Sequence, residues 1–189
     1  ELKQSIQSSY RAWLEARQFR PRRGQREMIA HISKTLTGGE PRIIAVEAGT
    51  GTGKTLLASI MLNELILHRA RPGRFLSLSR KNFQQLKDTF SESSANYGQT
   101  WRILDELCRL PYLVLDDLGI QRGTEWEMEV LYQLIDARYG EERFTVVTTN
   151  QPLEEIRQMS DGRIYSRLTE MCRFVGLHGV DYREHLNPW

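Results

Sequence analysis

Apolar residues recur along this chain in two rhythms, and the alternation between them predicts a fold. Ile6, Tyr10, Trp13 and Leu14 fall at near-helical spacing and predict a helix over residues 2–18. Pro21 interrupts it, and a second helix follows through about Thr37, ended by Gly38-Gly39. After that come short, nearly unbroken apolar runs: Arg42 to Glu47, Phe75 to Leu78, Tyr112 to Leu115, Phe144 to Thr149, and Phe174 to Leu177. Such runs suit strands buried on both faces. Helical segments separate them, ending near residue 69 and then at 80–90, 99–108, 124–139, 152–158 and 163–170, with a polar loop from Ser91 to Tyr97. Strands alternating with helices predict an α/β domain, a three-layer αβα sandwich around a five-stranded parallel sheet. The division expected is an N-terminal helical extension at 1–40 and a core at 41–189.

The first strand runs straight into Ala48-Gly49-Thr50-Gly51-Thr52-Gly53-Lys54-Thr55, and a helix begins there. Strand, glycine loop and helix in that order make a phosphate-binding loop credible. Glycines let successive backbone N–H groups turn inward onto phosphate oxygens, and the helix N-terminus adds partial positive charge. Lys54 is placed to reach the β- and γ-phosphates, and Thr55 to offer its hydroxyl to Mg²⁺. Ala48 stands where the pattern usually has its first glycine. The alternative is a glycine-rich turn that binds nothing.

The other half of a nucleotide site is an acidic pair ending a second strand, and Leu113-Val114-Leu115-Asp116-Asp117 supplies one. Asp116 is the candidate Mg²⁺ residue and Asp117 the group that polarises the attacking water. Without a cation, two adjacent carboxylates at a strand end repel each other. Val146-Val147-Thr148-Thr149-Asn150 places an amide at the end of a further strand, where Asn150 could bond the γ-phosphate or cap the Pro152 helix.

Composition narrows the partners. There are 26 Lys+Arg against 24 Asp+Glu, a net charge of +2, which excludes a uniformly basic nucleic-acid coat. The charge is unevenly spread, however: six arginines lie between Arg11 and Arg26 with Glu15 as the acid before Glu27, whereas acids outnumber bases from Leu104 to Glu142. Tyr10, Trp13 and Phe19 accompany the arginines, an arrangement that suits single-stranded nucleic acid, although Trp13 at helical spacing is expected to pack inward. Arg80, Lys81 and Lys87 after the second strand are further candidate phosphate contacts, or a solvated helix face. Two cysteines, Cys108 and Cys172, lack metal-site spacing and read as reduced cytoplasmic thiols. No apolar run approaches the ~18 residues of a membrane span. The chain opens on Glu1 rather than methionine, which suggests a processed or trimmed chain.

The order of phosphate loop, Asp116-Asp117-Leu118-Gly119, the helix Glu127–Tyr139 with Ile135-Asp136-Ala137-Arg138, Thr149-Asn150, and then Arg163 to Leu168 resembles the AAA+ ATPases. Among these it is most similar to the DnaC-type helicase loaders and IstB-type transposition ATPases, over residues 72–183. The resemblance implies ATP and Mg²⁺ as cofactors, head-to-tail self-association, and an arginine reaching a neighbour's γ-phosphate. By position that arginine is Arg167, with Arg163 as the alternative. It also implies that Arg183, within Asp181-Tyr182-Arg183, contacts nucleotide in its own subunit, and that no C-terminal lid domain follows. Phe19 to Met28 and Glu47 to Thr55 resemble instead the corresponding segments of DinG-type helicases, whose glutamine reads adenine; Gln25 takes that place here. The function implied is an ATP-dependent replication ATPase that binds single-stranded DNA and loads or remodels a replicative helicase. The alternatives are an IstB-like transposition ATPase and a nucleotide-gated scaffold with negligible turnover. A small-molecule kinase fits poorly, since no arginine-rich substrate lid is evident.

Overall fold

The computed structural model describes residues 1–17, 23–36, 43–48, 52–78, 99–119 and 124–177. Among them, α1 (Leu2–Ala16) and α2 (Arg23–Leu36) precede β1 (Ile43–Ala48), α3 (Lys54–Arg69) and β2 (Gly73–Ser77). Next come α4 (Thr100–Arg109), β3 (Tyr112–Leu118), α5 (Glu125–Gly140) and β4 (Phe144–Thr149). A short α6 (Leu153–Ile156), a 3₁₀ turn (Met159–Gly162), α7 (Arg163–Met171) and β5 (Cys172–Leu177) complete the described chain. The helix expected over 80–90 lies outside the described residues.

The five strands form one sheet in the order β2-β3-β4-β1-β5. Every adjacent pair is parallel. The chain leaves β1, crosses to the far edge at β2, steps back through β3 to β4, and passes over β1 to β5. That route gathers the carboxyl ends of β1, β3 and β4 along one edge of the sheet, where α/β folds bind ligands.

Alternate strand residues enter opposite cores, as the two-residue period of a strand requires. Val46, Val114, Val146 and Val175 pack with α1, α2 and α3 through Ile6, Met28, Ile29, Leu57 and Met61. Leu113, Leu115 and Val147 face the other way, onto Leu131, Leu134 and Ile135 of α5 and Ile164 and Leu168 of α7. Leu2, Ile6, Tyr10 and Leu14 make a four-residue-spaced buried stripe on α1. Trp13 is only partly buried against that core, and the Arg17 guanidinium stacks on its ring at 4.6 Å. The N-terminal helices thus share one core with the phosphate-loop helix.

Two local devices hold α5 in place. Thr124 accepts from the Glu127 N–H while Glu127 accepts from the Thr124 N–H, a reciprocal cap. At the far end Arg138 is fully buried with no carboxylate on it. It donates instead to the carbonyls of Leu107, Cys108, Leu110 and Phe144 and to the Thr145 hydroxyl. These five bonds tie the α4–β3 connection to the start of β4. Burial pulls the guanidinium down to about 10, which leaves it charged at neutral pH.

Candidate nucleotide site

β3 is regular as far as Leu115, which pairs with Val147, and then slips by one position before Leu118 pairs with Thr149. The slip occurs at the acidic pair. Asp117 takes a positive φ of 64°, a left-handed conformation that aspartate tolerates better than most side chains. The bulge aims the two carboxylates differently. Asp116 is 2% exposed, whereas the Asp117 side chain is 28% exposed.

Asp116 is the centre of the site. The Thr55 hydroxyl, one residue into α3, lies 3.0 Å from each of its oxygens. From β4, the strand that separates β3 from β1, the Thr148 hydroxyl donates to Asp116 Oδ1 and accepts from the Asp117 N–H at 3.1 Å. Burial pushes the Asp116 carboxyl above the ordinary aspartate value and Asp117 adds like-charge repulsion, while the Thr148 and Thr55 hydroxyls and Lys54 oppose them. A carboxylate in this setting is relieved by a nearby cation. Lys54 is 5% exposed, and its Nζ lies 3.9 Å from Asp117 Oδ1.

At the end of β4, Thr149 donates to the Leu118 carbonyl at 2.7 Å and accepts from the Gln151 N–H, so its hydroxyl closes the strand exit. Asn150 differs. Its Oδ1 is the one buried side-chain polar atom among the described residues that has no hydrogen-bond partner. An orphaned acceptor at the carboxyl end of β4 fits a site that takes a further donor, such as a water.

The glycine loop is described from Thr52 onward. Gly53 caps α3 in the left-handed region at φ 85°, and a Cβ there would lie 2.7 Å from Gln25 Nε2. Gln25, the residue expected to read adenine, is buried against the loop. Its Nε2 donates to the Thr52 carbonyl at 2.7 Å and its Oε1 accepts from the Tyr10 hydroxyl. Both ends of the buried amide that base reading would use are engaged inside the chain, and they brace the loop against α1. Gly49, Thr50, Gly51 and Arg183 lie outside the described residues, as do Phe19, Arg80, Lys81 and Lys87; of Ala48 only the backbone is described.

The residues fit a nucleotide with Mg²⁺. Thr55 and Asp116 present hydroxyl and carboxylate oxygens at one point, a hard-oxygen donor set of the sparse kind that Mg²⁺ shares with waters and phosphate. Groups of three or more His, Cys, Asp or Glu able to enclose a metal alone do not occur among the described residues. The sequence gives Thr148 no role of its own, because hydroxyls in a strand read as β-formers; the signal available is three threonines in one otherwise apolar strand.

The candidate trans-acting arginines sit away from this cluster, on α7. The side chain of Arg167 bonds Asp136 and that of Arg163 bonds Glu129, both acids on α5. The model of the family described as IstB-like ATP binding protein matches residues 17–187. The chain belongs to this family. It is similar to the replicative helicase loader DnaC of Escherichia coli (strain K12), 28% identical over 142 residues. That match takes in 75% of this chain and 52% of the relative, so the chain spans about half that protein's length. A shorter likeness, 47% identical over 57 residues, joins 28% of the chain to 8% of the ATP-dependent DNA helicase DinG of the same organism. Among solved structures, the crystal structure of the DnaC helicase loader superposes with a TM-score of 0.70 at 22% identity, over 85% of this chain and 94% of that one. The fold of this family member is that of an AAA+ P-loop core. Among the described residues no helix is long and apolar enough to cross a membrane.

Proposed function

We propose that this protein is an ATP-dependent replication ATPase of the helicase-loader type. It binds ATP with Mg²⁺ and single-stranded DNA, assembles head to tail with copies of itself in the cytoplasm, and loads or remodels a replicative helicase. The observation that carries the reading is the convergence of Thr55, Asp116 and Thr148, from α3, β3 and β4, at the carboxyl end of the sheet. In this reading Thr55 and Asp116 hold Mg²⁺, which neutralises phosphate charge when bound, and Lys54 takes the β- and γ-phosphates. Asp117, the more exposed carboxylate, accepts a proton from the attacking water, and Asn150 orients that water. The new P–O bond forms at the γ-phosphorus as the bond to the bridging oxygen breaks, leaving ADP and phosphate. Arg167 from a neighbouring subunit neutralises charge on the transferring group, and Arg183 contacts nucleotide within its own subunit. Turnover is slow alone and rises with DNA or partner.

The test is nucleotide binding and hydrolysis by Lys54→Ala, followed by capture of a replicative helicase. Unchanged ATP binding in that variant defeats the reading. Family membership equally supports a second client for the same engine, a transposase, and co-purification with one rather than with a helicase selects that alternative. A nucleotide-gated scaffold is favoured if Arg167→Ala turns over ATP as fast as the unaltered protein at high protein concentration.

A further inference from the structure

α5 and α7 pack through Leu131, Leu134 and Ile135 against Ile164 and Leu168, and on the rim of that contact lies a repeated device. In one rung the Arg163 guanidinium stacks on the Tyr132 ring at 4.5 Å and bonds Glu129 Oε2 at 3.1 Å. In the next, Arg167 stacks on the Tyr139 ring at 5.0 Å and donates from Nε to Asp136 Oδ1 at 2.6 Å. The acids are seven residues apart, as are the tyrosines, and the arginines are four apart, so each α5 turn-pair meets one α7 turn. The second rung is further closed. Glu170 lies 3.6 Å from Arg167 Nη1 and accepts from the Tyr139 hydroxyl at 3.1 Å.

Surface ion pairs of this kind contribute little to stability, because water screens them and two long side chains must be ordered. The second rung has a stronger geometric consequence. Asp136 takes the Nε edge of the guanidinium and Tyr139 takes its face, which fixes the plane of a side chain with four rotatable bonds. We infer that Asp136 is a positioning residue for hydrolysis: together with Tyr139 it presents the Arg167 fork to a nucleoside triphosphate held by a second copy of this chain. The inference rests on the reading that Arg167 acts in trans.

Mixing two defective variants tests both ideas separately. Subunits with Arg167→Ala keep their own nucleotide site but offer no arginine, while Lys54→Ala subunits offer Arg167 but hold no nucleotide. Mixed at high protein concentration with single-stranded DNA, the pair recovers turnover that neither has alone. A donor carrying Lys54→Ala and Asp136→Ala is expected to recover at least about tenfold less, in kcat and not in KM, since Asp136 acts through Arg167. A Lys54→Ala and Asp136→Asn donor, which keeps the Oδ1 acceptor, recovers most of it. Thermal melting of each donor matches Lys54→Ala alone. If the Asp136→Ala donor serves as well as the intact one, the positioning role is overturned while Arg167 keeps its part. If Arg167→Ala alone turns over normally, or the intact donor restores nothing, the trans reading fails and this inference falls with it.

Discussion

Two buried polar centres occupy opposite ends of β3 and β4, and they are built on opposite terms. At the amino ends, Arg138 is fully enclosed and each of its three nitrogens meets an acceptor among four carbonyls and the Thr145 hydroxyl. At the carboxyl ends, Asp116 is as deeply enclosed, carries a raised pKa, and is followed by a left-handed Asp117 and an Asn150 oxygen with no partner. A satisfied network rigidifies a core, whereas an incompletely satisfied one costs stability and is retained where something else completes it. The same two strands therefore carry a structural staple at one end and a candidate reaction site at the other.

Breaking the staple should have the largest effect. Arg138→Ala orphans several buried carbonyls at once and should destabilise the fold by about 4 kcal/mol, read by chemical denaturation. Nucleotide affinity, measured on whatever remains folded, should be little altered. At the other end Asp116→Asn should do the reverse, cutting ATP turnover at least ~100-fold through loss of Mg²⁺ while stability without nucleotide holds or rises.

That stability carries a pH signature. A folded pKa above the unfolded one means that the folded state binds the proton more tightly, so the Asp116 contribution is favourable at low pH and is lost as pH rises through the raised value. The unaltered protein should therefore lose stability relative to Asp116→Asn as pH climbs from the ordinary aspartate range, and the difference should level off above it. Denaturation at a series of pH values reads this, and a gap that narrows with rising pH would contradict it.

Thr148→Val removes one donor from Asp116 and the acceptor of the Asp117 N–H at constant shape. It should weaken Mg²⁺-dependent nucleotide binding roughly tenfold by titration calorimetry, the scale of one charge-assisted hydrogen bond. The smallest effect belongs to neither centre. Thr124→Ala removes the α5 cap and should cost about 1 kcal/mol with the chemistry untouched.

Much of this was legible before any coordinates. The α1 stripe, the five strands and the described helices among them were readable because helix and strand periods are written in neighbouring residues. That Lys54 and Thr55 would open a helix and Asp116-Asp117 close a strand was readable too, since those patterns are contiguous. Other roles were not. Gln25 reads as a base contact in its local context, and the bonds to Tyr10 and Thr52 by which it also braces the loop are made only in the fold. Trp13 packs against the core as its spacing predicts, but the Arg17 guanidinium over its ring is a contact that only the fold shows.

By itself, then, the sequence determined the elements of the described residues and their order, which depend on interactions within about a helical turn or a strand end. Tertiary structure decided the partners. Thr148 meets Asp116 across 32 positions, Arg138 meets Leu107 across 31, and Arg167 meets Asp136 across 31. Hydrogen bonds are short and directional, so which distant groups share one is set by sheet order and helix packing, and no local pattern along the chain encodes it.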